Sequence, residues 1–123
     1  MLDFFHTLLV FLGAEVSFAY ALRKATQAEA DRVLCMLLEL GVNHIDTASL
    51  YGNAEKRSGS WIEQHRDDFF LATKSRKRTY QGAWQDLRRS LSRLSVDRVD
   101  LWQMHGLTGP AVWERAMGPE GAS

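Results

Sequence analysis

Four side chains in this sequence have the chemistry for proton transfer and stand where such chemistry could be done. Asp46 and Tyr51 lie five residues apart in GVNHIDTASLYGNAE, residues 41–55. Lys74 is the next-to-last residue of FFLATKS, and His105 the next-to-last of RVDLWQMHG. A phenol has a reference pKa of about 10 and is a poor acid at neutral pH unless its surroundings help it. A lysine ammonium beside a phenol favours the phenolate, and an aspartate paired with that lysine keeps it charged and in place. A histidine nearby orients a substrate oxygen or shares the proton transfer. The four types together suit protonation of a carbonyl oxygen as a hydride, supplied by a nicotinamide, reaches the carbon.

The elements that would position them follow from local patterns. Thr26-Gln27-Ala28-Glu29 has the spacing of a capping box. Ala30, Val33, Leu34, Leu37 and Leu38 then recur at helical spacing as far as Gly41, which predicts a helix over about 27–40. Val42 to Asp46 reads as a strand, Gly52-Asn53 as a turn, and 54–65 as a helix weakened by Ser58, Gly59 and Ser60. Phe69 to Thr73 has the composition of a buried strand. Thr79 caps a helix whose Tyr80, Trp84, Leu87, Leu91 and Leu94 form a stripe, read as a core face. Arg98 to Met104 is a third strand, Pro110 opens a short helix, and Gly118 to Gly121 reads as a frayed tail. A further strand is expected somewhere in residues 14–22.

Alternating helices and buried strands predict an α/β domain with a parallel sheet. Asp46, Lys74 and His105 then fall at the carboxyl ends of three different strands, with Tyr51 just beyond the first. That rim is where α/β proteins meet their ligands.

Bulk properties narrow the function further. At 123 residues there is room for one domain, and 15 basic against 15 acidic residues give a formal net charge of zero. No global field therefore argues for nucleic acid or an acidic membrane as partner. Lys74 to Arg78 is a local basic run, read as a solvated loop. The single Cys35 excludes an internal disulfide and a multi-cysteine metal site, and no metal site is assigned. Residues 1–22 are apolar, but Asp3 and His6 stand where a signal peptide wants basic residues, and Gly13 and Glu15 interrupt a span. They are read as a buried helix or strand, and the setting as reducing and cytoplasmic.

The three motifs, in this order and spacing, resemble the aldo-keto reductase family over roughly residues 26–117. Members are (β/α)8 barrels that reduce aldehydes and ketones with NADPH or NADH. The resemblance implies a partial (β/α)8 TIM barrel of roughly the first four βα units, with a small carbonyl compound as substrate. It implies that Tyr51 is the general acid, that Lys74 tunes it, that Asp46 anchors Lys74, and that His105 orients the carbonyl. Residues that would contact the cofactor are left unassigned. Such a barrel typically takes about 250 residues. The family's phosphate- and adenosine-binding loops have no counterpart before Ser123, and Val16 to Tyr20 stand where its first strand ends in glycines.

The expectation is accordingly a single incomplete domain over 1–123. Its parts are a divergent segment 1–25, a family-like body 26–117 and a tail 118–123. Such a truncated chain is expected to be inactive alone. The alternative is a non-catalytic, self-associating half-barrel or interaction module. In it, a second copy or a complementing chain covers the open sheet, with Trp61, Trp102 and Trp113 as surface candidates.

Overall fold

Thr26 starts the first helix as its spacing predicts. Its hydroxyl accepts from the Glu29 amide at 3.3 Å, and Glu29 Oε2 accepts from the Thr26 amide at 2.8 Å. Helix α1 (Gln27–Glu39) ends at Gly41, which takes φ +78°. The Gly41 amide donates to Leu38 O and the Val42 amide to Leu37 O, both at 2.9 Å, closing a Schellman turn. The computed structural model describes residues 25–122. The strand expected within 14–22, the fate of residues 1–22 and the Val16–Tyr20 reading lie outside them.

After α1 come β1 (His44–Asp46), α2 (Ala54–His65), a 3-10 turn (Arg66–Asp68), β2 (Phe70–Ser75), α3 (Tyr80–Leu94), β3 (Leu101–Met104) and α4 (Pro110–Met117). The strands are parallel in the order β1-β2-β3. Asp46 stands opposite Ala72, and Lys74 opposite Gln103. The sheet is not closed among the described residues, and its fold class is the α/β one expected. Strands β1 and β3 start later than the sequence suggests. At β3 the Asp100 carboxylate accepts from the Leu71 amide at 2.7 Å while its own amide donates to Leu71 O at 2.8 Å, so regular pairing begins at Leu101. No helix among the described residues is long and apolar enough to cross a membrane.

The core gathers Leu34, Ile45, Trp61, Ile62, Phe69, Leu71 and Leu94 between the helices and one face of the sheet. Trp61 is therefore core rather than surface, whereas Trp113 is exposed and Trp102 half-buried.

Helix α3 departs from expectation. Tyr80 is 61% and Trp84 44% exposed, and of the expected stripe only Leu94 is fully buried. The inward face is Ala83, Asp86, Ser90 and Leu94. Small residues explain the rotation: α2 runs unbroken through Ser58, Gly59 and Ser60, and a Cβ on Gly59 would collide with the Arg93 carbonyl of α3. Two helices this close have no room for Trp84 between them. Ser58, expected to weaken α2, is buried and donates its hydroxyl back to Ala54 O at 2.8 Å.

The tail also differs. The Tyr80 amide donates to Glu120 O at 3.0 Å, and Thr79 pairs with a buried Gly121 in an antiparallel bridge. These residues are pinned rather than frayed.

The Gly59 contact is backbone against backbone and cannot be relieved by a rotamer change. Gly59→Ala is expected to destabilise the fold by about 1–3 kcal/mol. A thermal melt with an unchanged midpoint would contradict the close approach of α2 and α3.

Candidate active site

Each polar residue at the rim is delivered by a short structural device. Strand β1 ends at Asp46, but its pairing to β2 continues along the chain. The Thr47 amide donates to Ala72 O at 2.9 Å and the Ser49 amide to Lys74 O at 3.0 Å. The loop then turns through Gly52 at φ +57° into α2, with the Tyr51 side chain resting on Ala30 and Ala54. Lys74 is the fifth residue of β2. His105 follows β3, its amide donating to Ser75 O at 2.8 Å, and Gly106 at φ +69° lets the chain leave the rim.

These devices bring the four together. Lys74 Nζ lies 2.5 Å from Asp46 Oδ2, with the two side chains 16% and 4% exposed. The same ammonium is 5.8 Å from the centroid of the Tyr51 ring. The Tyr51 and His105 rings meet edge to face with centroids 5.7 Å apart. One cation, one anion, one phenol and one imidazole thus share a single small volume.

The pocket's electrostatics act on the histidine. Burial holds the His105 pKa below the usual histidine value, and the cations of Lys74, Arg76 and Arg78 lower it further against the opposing pull of Asp46. At neutral pH the imidazole is neutral, with one ring nitrogen carrying a proton and the other a free lone pair. His44 is also held low, chiefly by burial, with its ring 4.8 Å from that of Phe70.

Three buried polar atoms beside this cluster have no hydrogen-bond partner among the described residues: Asp46 Oδ1, Thr47 Oγ1 and His105 Nδ1. Buried polar atoms are nearly always satisfied, so three at one rim mark a place shaped for something else. Among the described residues no group of His, Cys, Asp and Glu could hold a metal ion.

Sequence reasoning passed over Thr47 and Arg78. Arg78, read as part of a solvated loop, is half-buried, and its guanidinium donates to the carbonyls of Ser75, Lys77, His105 and Gly106. It clasps the end of β3 to the segment after Lys74. Its place in a basic run gave no sign of this, because main-chain acceptors leave no trace in residue identity.

The two depressed histidines set a pH dependence. Above about pH 6.5, the unfolded reference, they are neutral in both states and the fold keeps its full stability. As pH falls through that value the unfolded chain takes up protons first, and stability drops until the lowered folded values are passed. The denaturant midpoint is expected to fall between pH 7.5 and pH 5.5, and to fall less in His105→Gln. Equal falls in the two proteins would show that His105 does not titrate this way.

The family model for the aldo/keto reductase family matches residues 13–117. The Bacillus subtilis oxidoreductase YqkF is 37% identical in a match covering 65% of this chain and 32% of that protein. Among solved structures, the holo form of an aldo-keto reductase from Bacillus halodurans is 32% identical with a TM-score of 0.58, covering 67% of this chain and 32% of that one. An aldo/keto reductase from Klebsiella pneumoniae, solved in complex with NADP and acetate, is 27% identical with a TM-score of 0.55, covering 65% and 30%. The chain spans about a third of the length of the relatives it matches. With the family model covering most of its residues and its parallel strands superposing on barrels of that family, the chain belongs to the aldo-keto reductase family of oxidoreductases.

Proposed function

We propose that this chain carries the proton-delivering end of an NAD(P)H-dependent reduction of aldehydes and ketones. The observation that carries the reading is the Asp46–Lys74 ion pair seated beside the Tyr51 ring, with His105 edge-on to it. Tyr51 donates its hydroxyl proton to the carbonyl oxygen of a small substrate. Lys74, held by Asp46, steadies the phenolate that remains. The neutral imidazole of His105 hydrogen-bonds the carbonyl oxygen and orients it without competing as a cation.

The unpartnered atoms fit a polar ligand at this rim, and they are the observation by which a nicotinamide end suits the site. Asp46 Oδ1 and Thr47 Oγ1 would hold it, leaving His105 for the substrate. When bound, NADPH or NADH supplies the hydride to the carbonyl carbon. The described residues offer nothing comparable for the phosphates and adenosine. We assign that task to elements outside the described residues, and residues 25–122 taken alone are inactive in this reading. A reducing, cytoplasmic setting accords with the lone cysteine and a nicotinamide reductant.

A second reading, self-association of a non-catalytic half-barrel with a second copy or a complementing chain, draws support from the exposed Tyr80, Trp84, Leu101 and Trp113. It predicts a dimer mass in light scattering that Tyr51→Phe does not alter, and a monomer at all concentrations would exclude it.

The enzymatic reading makes a different prediction. Saturating NADPH should leave the melt of the isolated chain unmoved, where a binder at about 100 times its dissociation constant would gain roughly 2.7 kcal/mol. When the chain is complemented by the remaining portion of a family barrel, NADPH oxidation with an aldehyde should appear. Tyr51→Phe should then lower turnover by roughly 10²–10⁴-fold. Undiminished turnover in Tyr51→Phe would remove the phenol from the mechanism.

A further inference from the structure

Helix α3 turns a carboxylate into the protein where an apolar side chain would ordinarily pack. Asp86 is 4% exposed. Its Oδ2 accepts from Ser49 Oγ at 2.9 Å and also from the Ser75 hydroxyl, while Oδ1 accepts from the Arg89 guanidinium. A buried carboxylate is costly unless every lone pair finds a donor, and here each oxygen has one. Where a residue breaks the local packing rule and is fully served by partners, the partners show what it is for.

Those partners are the two segments that carry the reacting groups. Ser75 directly follows Lys74, and its Oγ also accepts from the Lys77 amide at 3.0 Å. Ser49 lies two residues before Tyr51. It is held three ways: its amide to Lys74 O, its hydroxyl to Asp86, and its carbonyl to Arg93 Nη1 at 3.4 Å. Past Ser49 the loop's main-chain bonds among the described residues are local turn bonds, Tyr51 amide to Ala48 O and Ala54 amide to Tyr51 O, both at 3.0 Å. Leu50 is exposed and Gly52 is left-handed. Ser49 is thus the last point before Tyr51 at which the loop's main chain is fixed from outside.

We propose that Asp86 is a positioning residue of the active site, its carboxylate tying the Tyr51 loop and the Lys74 strand end to one point on α3. It touches none of the reacting groups. It acts by setting the separation between the phenol and the ammonium, and the proposal rests on the reading that Tyr51 and Lys74 work as a pair. A hydroxyl–carboxylate bond on each side makes the link short and directional, which apolar packing at the same position would not.

The test uses the full, isotope-labelled chain and the cross-relaxation peak between the Tyr51 and His105 rings, whose centroids are 5.7 Å apart. Asp86→Ala and Ser49→Ala are each expected to lose most of this peak at a temperature where they remain folded. Ile62→Val, a core change on α2 outside the network, should keep it at a comparable melting temperature. Retention of the peak in folded Asp86→Ala would overturn the proposal, as would its absence from the unsubstituted chain. Should Asp86→Ala fail to fold, Ser49→Ala removes a single hydroxyl and decides the matter by the same peak. In the complemented enzyme, Asp86→Ala should lower kcat roughly 10–100-fold with KM little changed. Loss of the peak with full turnover would keep the tether and overturn instead the assignment of Tyr51 as the acid.

Discussion

The ion pair between Asp46 and Lys74 is the interaction on which the rest of this site depends. Its two charges sit on neighbouring parallel strands, almost out of water, at a separation of 2.5 Å. Desolvation offsets much of the attraction in such a pair, so its net stabilisation is small, whereas losing one partner strands a buried charge and costs about 3–5 kcal/mol. The pair therefore works as a constraint more than as a source of stability. It forces the long lysine side chain to lie along the strand ends, and the ammonium ends up beside the Tyr51 ring because Asp46 leaves it few other places. Burial is the main cause of the lowered pKa of His105, and the same geometry adds to it, since that fixed cation is among the charges that keep the imidazole neutral.

Most of the local architecture was legible because its signals are local. The Thr26 capping box, the Gly41 stop, the Thr79 cap and Pro110 at a helix start all act within a few residues, and all appear in the structure. The rim was legible for a related reason. A polar residue at or just beside a strand's end is placed at the sheet's carboxyl edge, and three parallel strands each place one there. The roles of the four residues were read from the family's motifs, and the structure adds that the four lie together.

What could not be read was long-range. The stripe from Tyr80 to Leu94 has helical period, but period alone does not say which of two overlapping faces turns inward. That choice fell to Gly59, 34 residues before Arg93, whose missing side chain admits the α3 backbone. It fell also to Ser49, 37 residues before Asp86, whose hydroxyl makes a buried carboxylate tolerable. Arg78 was misjudged for the same reason, since main-chain carbonyls as acceptors carry no residue signature. In each case the deciding partner was distant in sequence and small or backbone in kind.

The order β1-β2-β3 in space repeats the order of synthesis. Each strand meets its predecessor across a single intervening helix, so no pairing within this sheet waits for a far segment of the chain. Loop closure across about 30 residues costs little more than closure across 15, and its entropy is recovered at once by the new ladder. The fold can therefore advance as the polypeptide leaves the ribosome, one strand and helix at a time. The Asp46–Lys74 contact becomes available as soon as β2 has been made, and His105 docks against an already assembled pair. An order of assembly is thus written into the topology, and the four-residue cluster is built outward from its charged centre.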